Sequence, residues 1–571
     1  MENAKLLYNE WLSYDLEDSD LKAELTALKS DDEIYDRFYR DLSFGTAGLR
    51  GVIGAGTNRM NIYTVRKATQ GLSDMLLQKK ANPCVAISYD SRIKSDLFAK
   101  EAAVVLASNG IKVYITNRLM PTPVLSFCVR HLCCDAGIMI TASHNPSKYN
   151  GYKAYGEDGC QMNEEDSAKV LEFANKTSIF GAKHTLSFEE GIKSGIISYV
   201  EESVYADYYD KVCALSIDAD AIKNAGLNIV YTPLNGTGNE PVRHVLGRMG
   251  CKNISIVKEQ EMPDGNFTTC PYPNPEIREA LTLGIAECEK LGADLLIATD
   301  PDADRVGIAV RSKDGKTELM TGNAVGVLLL YYIASRLKEM GKLPERAVAV
   351  KSIVTTALAD KVCEFFGIEM KNVLTGFKYI GEQIRLLEEK GEENRFVLGY
   401  EESYGYLSGS FVRDKDAVIA SLLITEMASF YKMQGKTLLD VYGEIEAQFG
   451  VYYHAVDSFA FEGASGMKKM ASIMESLRTA PPMEFCSLKT ISMSDYKFSV
   501  TTNFETNEKT QIPLPSSNVL QFNFENNCKL IVRPSGTEPK IKFYYTVVSD
   551  SREKAAEICK KFALEAKNMT L

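Results

Sequence analysis

The 571 residues are 45% hydrophobic and 25% charged, the balance of a soluble folded chain and not of a disordered or fibrous one. A formal net charge of −11 speaks against a nucleic-acid partner, which asks for a basic face. The 13 cysteines include no C-x-x-C pair and no Cys/His zinc spacing, and read as reduced thiols of a cytoplasmic protein.

At one domain per ~150 residues, the length predicts about four domains. Residues 1–40 read as helical and amphipathic, with Leu6, Leu7, Trp11 and Leu12 on one side, packed over the first domain. No basic segment leads into an apolar one at the start, so no export leader is expected. The longest apolar run, 324–334, is shorter than the ~18 residues of a membrane span and is expected to be a buried helix. Phe44-Gly-Thr-Ala-Gly-Leu-Arg-Gly51 sets glycines, which let backbone approach a ligand, beside the cation of Arg50; a plain turn is the alternative.

From residue 85 a strand (85–89), helix (96–108), strand (112–115), helix (123–132) and strand (136–140) alternate, the pattern of a buried α/β layer. The last strand runs into Thr141-Ala-Ser-His-Asn-Pro-Ser-Lys-Tyr-Asn-Gly-Tyr-Lys153. That change predicts a short, exposed loop presenting the Ser143 hydroxyl, with His144 beside it and Lys153 near; Asn145-Pro146 and Asn150-Gly151 are turn signals. An ordinary surface loop is the alternative.

A second alternation covers 227–232, 241–249, 254–257, 275–291 and 295–299, and ends in Asp300-Pro-Asp-Ala-Asp-Arg305. Carboxylates at alternate positions, with no His or Cys near, suit Mg²⁺ held by Asp300, Asp302 and Asp304, unless this is only an acidic turn. A calcium EF-hand is excluded, because its sixth and twelfth positions would be Arg305 and Arg311.

A third alternation covers 347–350, 355–366, 371–374, 377–390 and 396–400. Within it, Gly376 and Lys378 stand at a strand-to-helix turn that would welcome an anion or merely start a helix. Gly399-Tyr-Glu-Glu-Ser-Tyr-Gly405 offers carboxylates and a hydroxyl suited to vicinal sugar hydroxyls. In Arg413-Asp-Lys-Asp416, Lys415 is either part of a solvated charge run or a proton shuttle. The three units repeat in pattern, each with a polar cluster just past its last strand.

After a helical stretch at 417–448, strands at 530–533 and 540–548 and a helix at 552–567 make an α+β domain, with a loop at 511–518. Arg533-Pro-Ser-Gly-Thr-Glu-Pro-Lys540 reads as a phosphate grip, with the fork of Arg533, the hydroxyls of Ser535 and Thr537, and a backbone nest at Gly536; a turn without ligand is the alternative. His131, His184, His244 and His454 have no partner spacing and are assigned no chemistry.

Taken in order, Thr141-Ala-Ser-His-Asn-Pro, Asp300-Pro-Asp-Ala-Asp-Arg, Gly399-Tyr-Glu-Glu-Ser and Arg533-Pro-Ser-Gly-Thr-Glu-Pro resemble the α-D-phosphohexomutase superfamily, in its phosphoglucomutase/phosphopentomutase branch, over essentially the whole chain. The resemblance implies an α/β protein of three similar domains with mixed sheets flanked by helices (1–205, 206–322, 323–450) plus a C-terminal α+β domain (451–571), around a central cleft. It implies that Ser143 carries a phosphoryl group and that Asp300, Asp302, Asp304 and the phosphoserine hold Mg²⁺. Arg50, His144, Lys153 and Arg305 would line the reacting centre, and Lys415 would do acid/base work. Gly376, Lys378, Glu401 and Ser403 would contact the sugar phosphate, and Arg533, Ser535, Gly536 and Thr537 its non-reacting phosphate.

The implied activity is exchange of glucose 1-phosphate and glucose 6-phosphate, with glucose 1,6-bisphosphate as intermediate and activator. The implied partners are small sugar phosphates, not nucleic acid or membrane, for a monomer or dimer. Glu402, Tyr404 and Gly405 depart from the Gly-Glu-Met-Ser-Gly-His loop of the phosphomannomutase and phosphoglucosamine mutase branches, which favours glucose. Because the Phe-Gly-Thr-Ala-Gly-Leu-Arg start is shared, a phosphopentomutase or a hexose bisphosphate synthase stays open. A silent sugar-phosphate binder and a sugar phosphatase are the readings from other classes.

Overall fold

The computed structural model describes residues 1–42, 48–461, 463–535 and 540–570. Its contacts divide the chain into two compact units: Met1–Thr321 with Ile380–Leu398 and Ser403–Thr437, and Gly322–Tyr379 with Gly399–Glu402 and Leu438–Leu571.

The first unit begins with helices Glu2–Ser13, Ser19–Ala27 and Asp31–Phe38. Trp11 is fully buried, its ring 5.8 Å from Phe38 and 5.6 Å from Tyr63. The expected apolar stripe needs correction, since Leu6 and Leu12 are 64% and 39% exposed. The face turned inward is Ala4, Leu7, Tyr8 and Trp11, which follows the i, i+3, i+4, i+7 rule; neighbours such as Leu6 and Leu7 diverge around the helix.

Two mixed sheets come next. The first runs in the order Gly48–Val52, Tyr149–Gly156, Ala136–Ile140, Cys84–Tyr89, Lys112–Ile115, Ile197–Tyr199. The second runs Thr317–Met320, Val306–Arg311, Leu295–Thr299, Ile229–Thr232, Ile254–Ile256. In each, the parallel strands are joined through helices, and the central strands Ala136–Ile140 and Leu295–Thr299 are buried along their whole length, as their unbroken apolar runs require.

Each central strand then turns back into an antiparallel partner, with Met139 opposite Lys153 and Thr299 opposite Val306. These partners were not anticipated. Asn150 and Gly151, expected as a turn, lie within the strand Tyr149–Gly156. A Cβ on Gly151 would stand 2.6 Å from the Thr141 carbonyl oxygen and 2.8 Å from that of Leu49, so the glycine serves close approach of three strands. The expected helix at 275–291 begins only at Arg278, with a 3₁₀ turn Arg278–Leu281 before Thr282–Leu291.

In the second unit, strands Val348–Ser352 and Glu369–Val373 pair in parallel beside the buried helix Gly322–Glu339, where the apolar run was read. The helical stretch expected at 417–448 is two helices, Ala417–Lys432 and Leu438–Phe449, interrupted where Gly435 takes φ 71°. The C-terminal part is an antiparallel sheet ordered Val451–Ala460, Lys540–Ser549, Lys529–Pro534, Leu520–Phe524, Leu488–Asp495, Val500–Asn503, Lys509–Gln511. Helices Gly463–Thr479 and Arg552–Met569 complete this α+β arrangement, and the Phe562 ring packs 4.9 Å from that of Phe485. No helix among the described residues is long and apolar enough to cross a membrane.

Candidate active site

Past Ile140 the chain makes a tight turn in which Ser143 adopts φ 51°, a left-handed conformation uncommon for a residue with a side chain. The Ser143 N–H donates to Thr141 Oγ1 over 2.7 Å, and that hydroxyl donates to Asp90 Oδ2 over 2.6 Å. Arg92 donates to the Ser143 and Asn145 carbonyls through one nitrogen and to those of Pro146 and Tyr149 through the other. The sequence reading missed both Asp90 and Arg92. The available signal was a pair of opposite charges immediately after the buried strand Cys84–Tyr89.

Ser143 was expected to be exposed; it is 3% exposed. Its Oγ turns inward and donates to Asp300 Oδ2 over 2.8 Å, with His144 Nδ1 at 3.1 Å. The covering group comes from the next sheet, so no local pattern could announce it. Burial, then the nearby charges of Arg305, Arg50, Arg92 and Lys153, hold the His144 imidazole well below its ordinary pKa and so neutral.

Asp300, Asp302 and Asp304 are buried, with ligand oxygens all within 4.8 Å of one another. Asp300 Oδ1 accepts the N–H groups of Asp304 and Arg305 over 3.1 and 3.0 Å. Asp302 Oδ2 accepts from Thr122 Oγ1 over 2.9 Å and from Lys153 Nζ over 2.8 Å; Lys153 also reaches Asp304 Oδ2 at 3.3 Å. The second oxygens, Asp302 Oδ1 and Asp304 Oδ1, are buried with no hydrogen-bond donor among the described residues. Buried oxygens left without donors beside a third carboxylate fit a hard divalent cation. Burial and the charges of Asp302 and Asp304 push Asp300 well above the ordinary carboxylate range. Burial pushes Asp302 up too, but the contact with Lys153 outweighs it and holds Asp302 low.

Lys415 is 7% exposed, so it is not part of a solvated charge run. Its Nζ lies 3.2 Å from Asp304 Oδ2 and 3.0 Å from Asp414 Oδ1, while Tyr155 Oη donates to Asp414 Oδ2 over 2.7 Å. A Cβ on Gly405 would fall 2.1 Å from Lys415 Cδ, so glycine makes room for the lysine stem. Arg305 pairs with Glu276, and Arg50, exposed on Gly48–Val52, donates to Asn145 Oδ1 over 3.1 Å at the rim of the serine turn. Ser403 lies in the turn before Gly405–Leu407, where the Tyr404 carbonyl accepts the Val306 N–H over 3.1 Å. The first unit thus gathers Ser143, His144, Lys153, Arg305, Lys415 and the three aspartates.

In the second unit the Gly376 N–H donates to Glu401 Oε1 over 2.7 Å, tying the turn just before Lys378, which lies in the first turn of the helix Phe377–Glu388, to the end of the strand Phe396–Glu401. Glu402 accepts from Ser352 and Thr355, each over 3.2 Å. Arg533, next to the last residue of its strand, stands opposite Lys542, and the Ser535 N–H donates to the Lys540 carbonyl over 2.7 Å. Gly536 and Thr537 lie outside the described residues, as do 43–47 of the glycine-rich stretch.

The sequence matches the phosphoglucomutase/phosphomannomutase α/β/α domain I over 41–179, domain II over 206–315 and domain III over 321–449. The chain is 39% identical over 544 residues to a phosphoglucomutase of Staphylococcus epidermidis, covering 95% of this chain and 97% of the relative. A phosphoglucomutase of Staphylococcus haemolyticus is 38% identical over 524 residues, covering 91% and 93%. Among solved structures, the open form of Paramecium parafusin, a phosphoglucomutase, shares the fold with a TM-score of 0.69 at 18% identity, covering 93% of this chain and 95% of that one. Buried carboxylate triad, serine turn and domain matches agree, and the chain belongs to the phosphoglucomutase/phosphomannomutase family.

Proposed function

We propose that the protein is an intramolecular phosphotransferase interconverting glucose 1-phosphate and glucose 6-phosphate. The observation that carries this reading is the Ser143 Oγ hydrogen bond to Asp300 inside the buried triad, a nucleophile set against a cation site. Relatives named phosphoglucomutase that match nearly end to end support the choice of glucose.

Phospho-Ser143 gives its phosphoryl group to the free hydroxyl of the bound sugar phosphate: the serine P–O bond breaks and the sugar P–O bond forms. The bound glucose 1,6-bisphosphate then reverses, and its other phosphate returns to Ser143. Mg²⁺ held by Asp300, Asp302 and Asp304 would neutralise charge on the transferring group. Lys153, Arg305 and Arg50 add fixed positive charge, and Lys415, backed by Asp414, handles the hydroxyl proton. His144 stays neutral beside the serine. Glu401 and Ser403 hold sugar hydroxyls, Gly376 and Lys378 contact the sugar phosphate, and Arg533, Ser535, Gly536 and Thr537 take up the non-reacting phosphate. The proposed domains are 1–205, 206–322, 323–450 and 451–571, and the proposed setting is the cytoplasm.

The test is a panel of glucose 1-phosphate and ribose 1-phosphate, with and without glucose 1,6-bisphosphate, beside intact-mass analysis. One added phosphate on Ser143, discharged by sugar phosphate, and a kcat/KM at least ~10-fold higher for glucose are expected. Preference for ribose 1-phosphate would make the protein a phosphopentomutase. Absence of the phosphoenzyme would end the reading.

A further inference from the structure

Arg92 and Asp90 belong to no motif of the sequence reading, yet they form the most enclosed ion pair next to Ser143: both side chains are 0% exposed, with Arg92 Nε 3.3 Å from Asp90 Oδ2. Asp90 is tied down in turn, accepting from Ser95 Oγ over 2.7 Å, the Arg92 N–H over 3.0 Å and Thr141 Oγ1 over 2.6 Å. The Phe267 ring covers the guanidinium, its centroid 5.0 Å away. From this seat Arg92 donates to four carbonyls of one turn: Ser143, Asn145, Pro146 and Tyr149.

Such convergence is unusual in kind. A buried ion pair is costly to retain unless most of its donors are used, and a guanidinium is the one side chain whose planar fork serves several carbonyls at fixed angles. Here each terminal nitrogen of Arg92 serves two carbonyls, while Nε keeps only its ion-pair contact with Asp90. The first carbonyl it holds is that of Ser143, the residue at φ 51°. A left-handed residue with a side chain persists only where its surroundings over-determine it. Here Thr141 holds the N–H side of the residue and Arg92 its carbonyl side.

We infer that Arg92, anchored by Asp90, is a positioning residue that locks the Ser143 turn in its left-handed conformation and thereby sets the rate of phosphoryl transfer. The inference rests on Ser143 as phosphoryl carrier. Arg92 reaches the carbonyl of Ser143 and not its hydroxyl, so its contribution is aim. A turn released from the fork would misdirect the phosphoserine towards the sugar and admit water. Water would then add to phosphorus as the P–Oγ bond breaks, giving orthophosphate and serine, with a water proton passing to the serine oxygen.

The test compares full-length protein with Arg92→Lys, which keeps the charge but not the fork, and Asp90→Asn, which keeps the size but not the anchor. Expected for folded Arg92→Lys is a kcat lower by about 10²-fold, the scale of an ångström misplacement, with KM within about threefold. The isolated phosphoenzyme should also lose its phosphate to water about tenfold faster, a change that a merely destabilised fold would not bring. A kcat and a phosphoenzyme lifetime both within about threefold of the parent would overturn the proposal. If Arg92→Lys does not fold, Asp90→Asn decides by the same two readings. A parent protein that never acquires phosphate on Ser143 would sink the phosphoserine reading itself, an outcome distinct from normal turnover in the variants.

Discussion

The Lys415 ammonium stands 3.2 Å from the Asp304 carboxylate, so the proton-handling group of the proposed reaction and a carboxylate of the candidate cation site form one electrostatic unit. Lys415→Met removes the proton carrier and leaves Asp304 with Lys153 and Asp414 with the Tyr155 hydroxyl. A kcat loss of roughly 10²–10⁴-fold is expected, with KM for glucose 1-phosphate nearly unchanged. Steady-state kinetics check this; a loss carried by KM alone would move Lys415 out of the proton path.

Metal removal should silence the enzyme and lower its melting temperature. Asp302 Oδ1 and Asp304 Oδ1 have no hydrogen-bond donor among the described residues, a bound cation would engage them, and a ligand at a hundred times its Kd stabilises the folded state by about 2.7 kcal/mol. Differential scanning fluorimetry with EDTA and then with Mg²⁺ should show the shift in the parent protein. Asp302→Asn should lose most of it.

Gly405→Ala tests the room made for Lys415. The added methyl would meet the lysine stem at 2.1 Å, and a flexible stem yields before a backbone does. The expected outcome is a kcat reduced by about tenfold or more, with a loss of stability of about 1 kcal/mol, in the range of ordinary substitutions. Parallel kinetics and thermal melts check the pair of values. Unchanged kcat would show that the position of Lys415 is not critical.

His454 should make the second unit sensitive to mild acid. Its ring nitrogens bond Thr356 Oγ1 at 2.6 Å and Thr546 Oγ1 at 3.1 Å, and burial, then Lys351 and Lys529, lower its pKa to about 3. Between the unfolded value near 6.5 and 3, the unfolded chain binds the proton and the folded one does not, so stability is full above about 6.5 and falls with pH. From pH 7.5 to 5.0 this group accounts for about 1 to 2 kcal/mol of the loss. Urea midpoints at the two pH values should differ less in His454→Gln than in the parent protein.

The parallel α/β cores were legible because strands such as Ala136–Ile140 are apolar throughout and alternate with helix-length segments. Their antiparallel partners were not: Tyr149–Gly156 carries Asn150, Gly151 and Lys153, residues that locally signal turn or surface, and its strand state is imposed by neighbours on both sides. The site divides in the same way. Carboxylates two apart on one loop can be read directly, so Asp300, Asp302 and Asp304 were found. The burial of Ser143 by Asp300, 157 residues on, and the reach of Arg92 across four carbonyls depend on sheet packing that no window of sequence contains. Asp414 was passed over as one charge among several, although its burial makes it the brace of Lys415.

Ser143 and Asp300 each sit where a central strand doubles back on itself, a junction pinned by ladder hydrogen bonds on both arms. Neither can swing out like a lid. A stationary hydroxyl obliges the substrate to do the travelling in the proposed reaction, and a molecule that must be let go to reverse can also be lost. Each escape of glucose 1,6-bisphosphate would strand the protein with a bare serine, idle until another bisphosphate arrives. Sustained turnover would therefore depend on the solution concentration of a compound absent from the net equation.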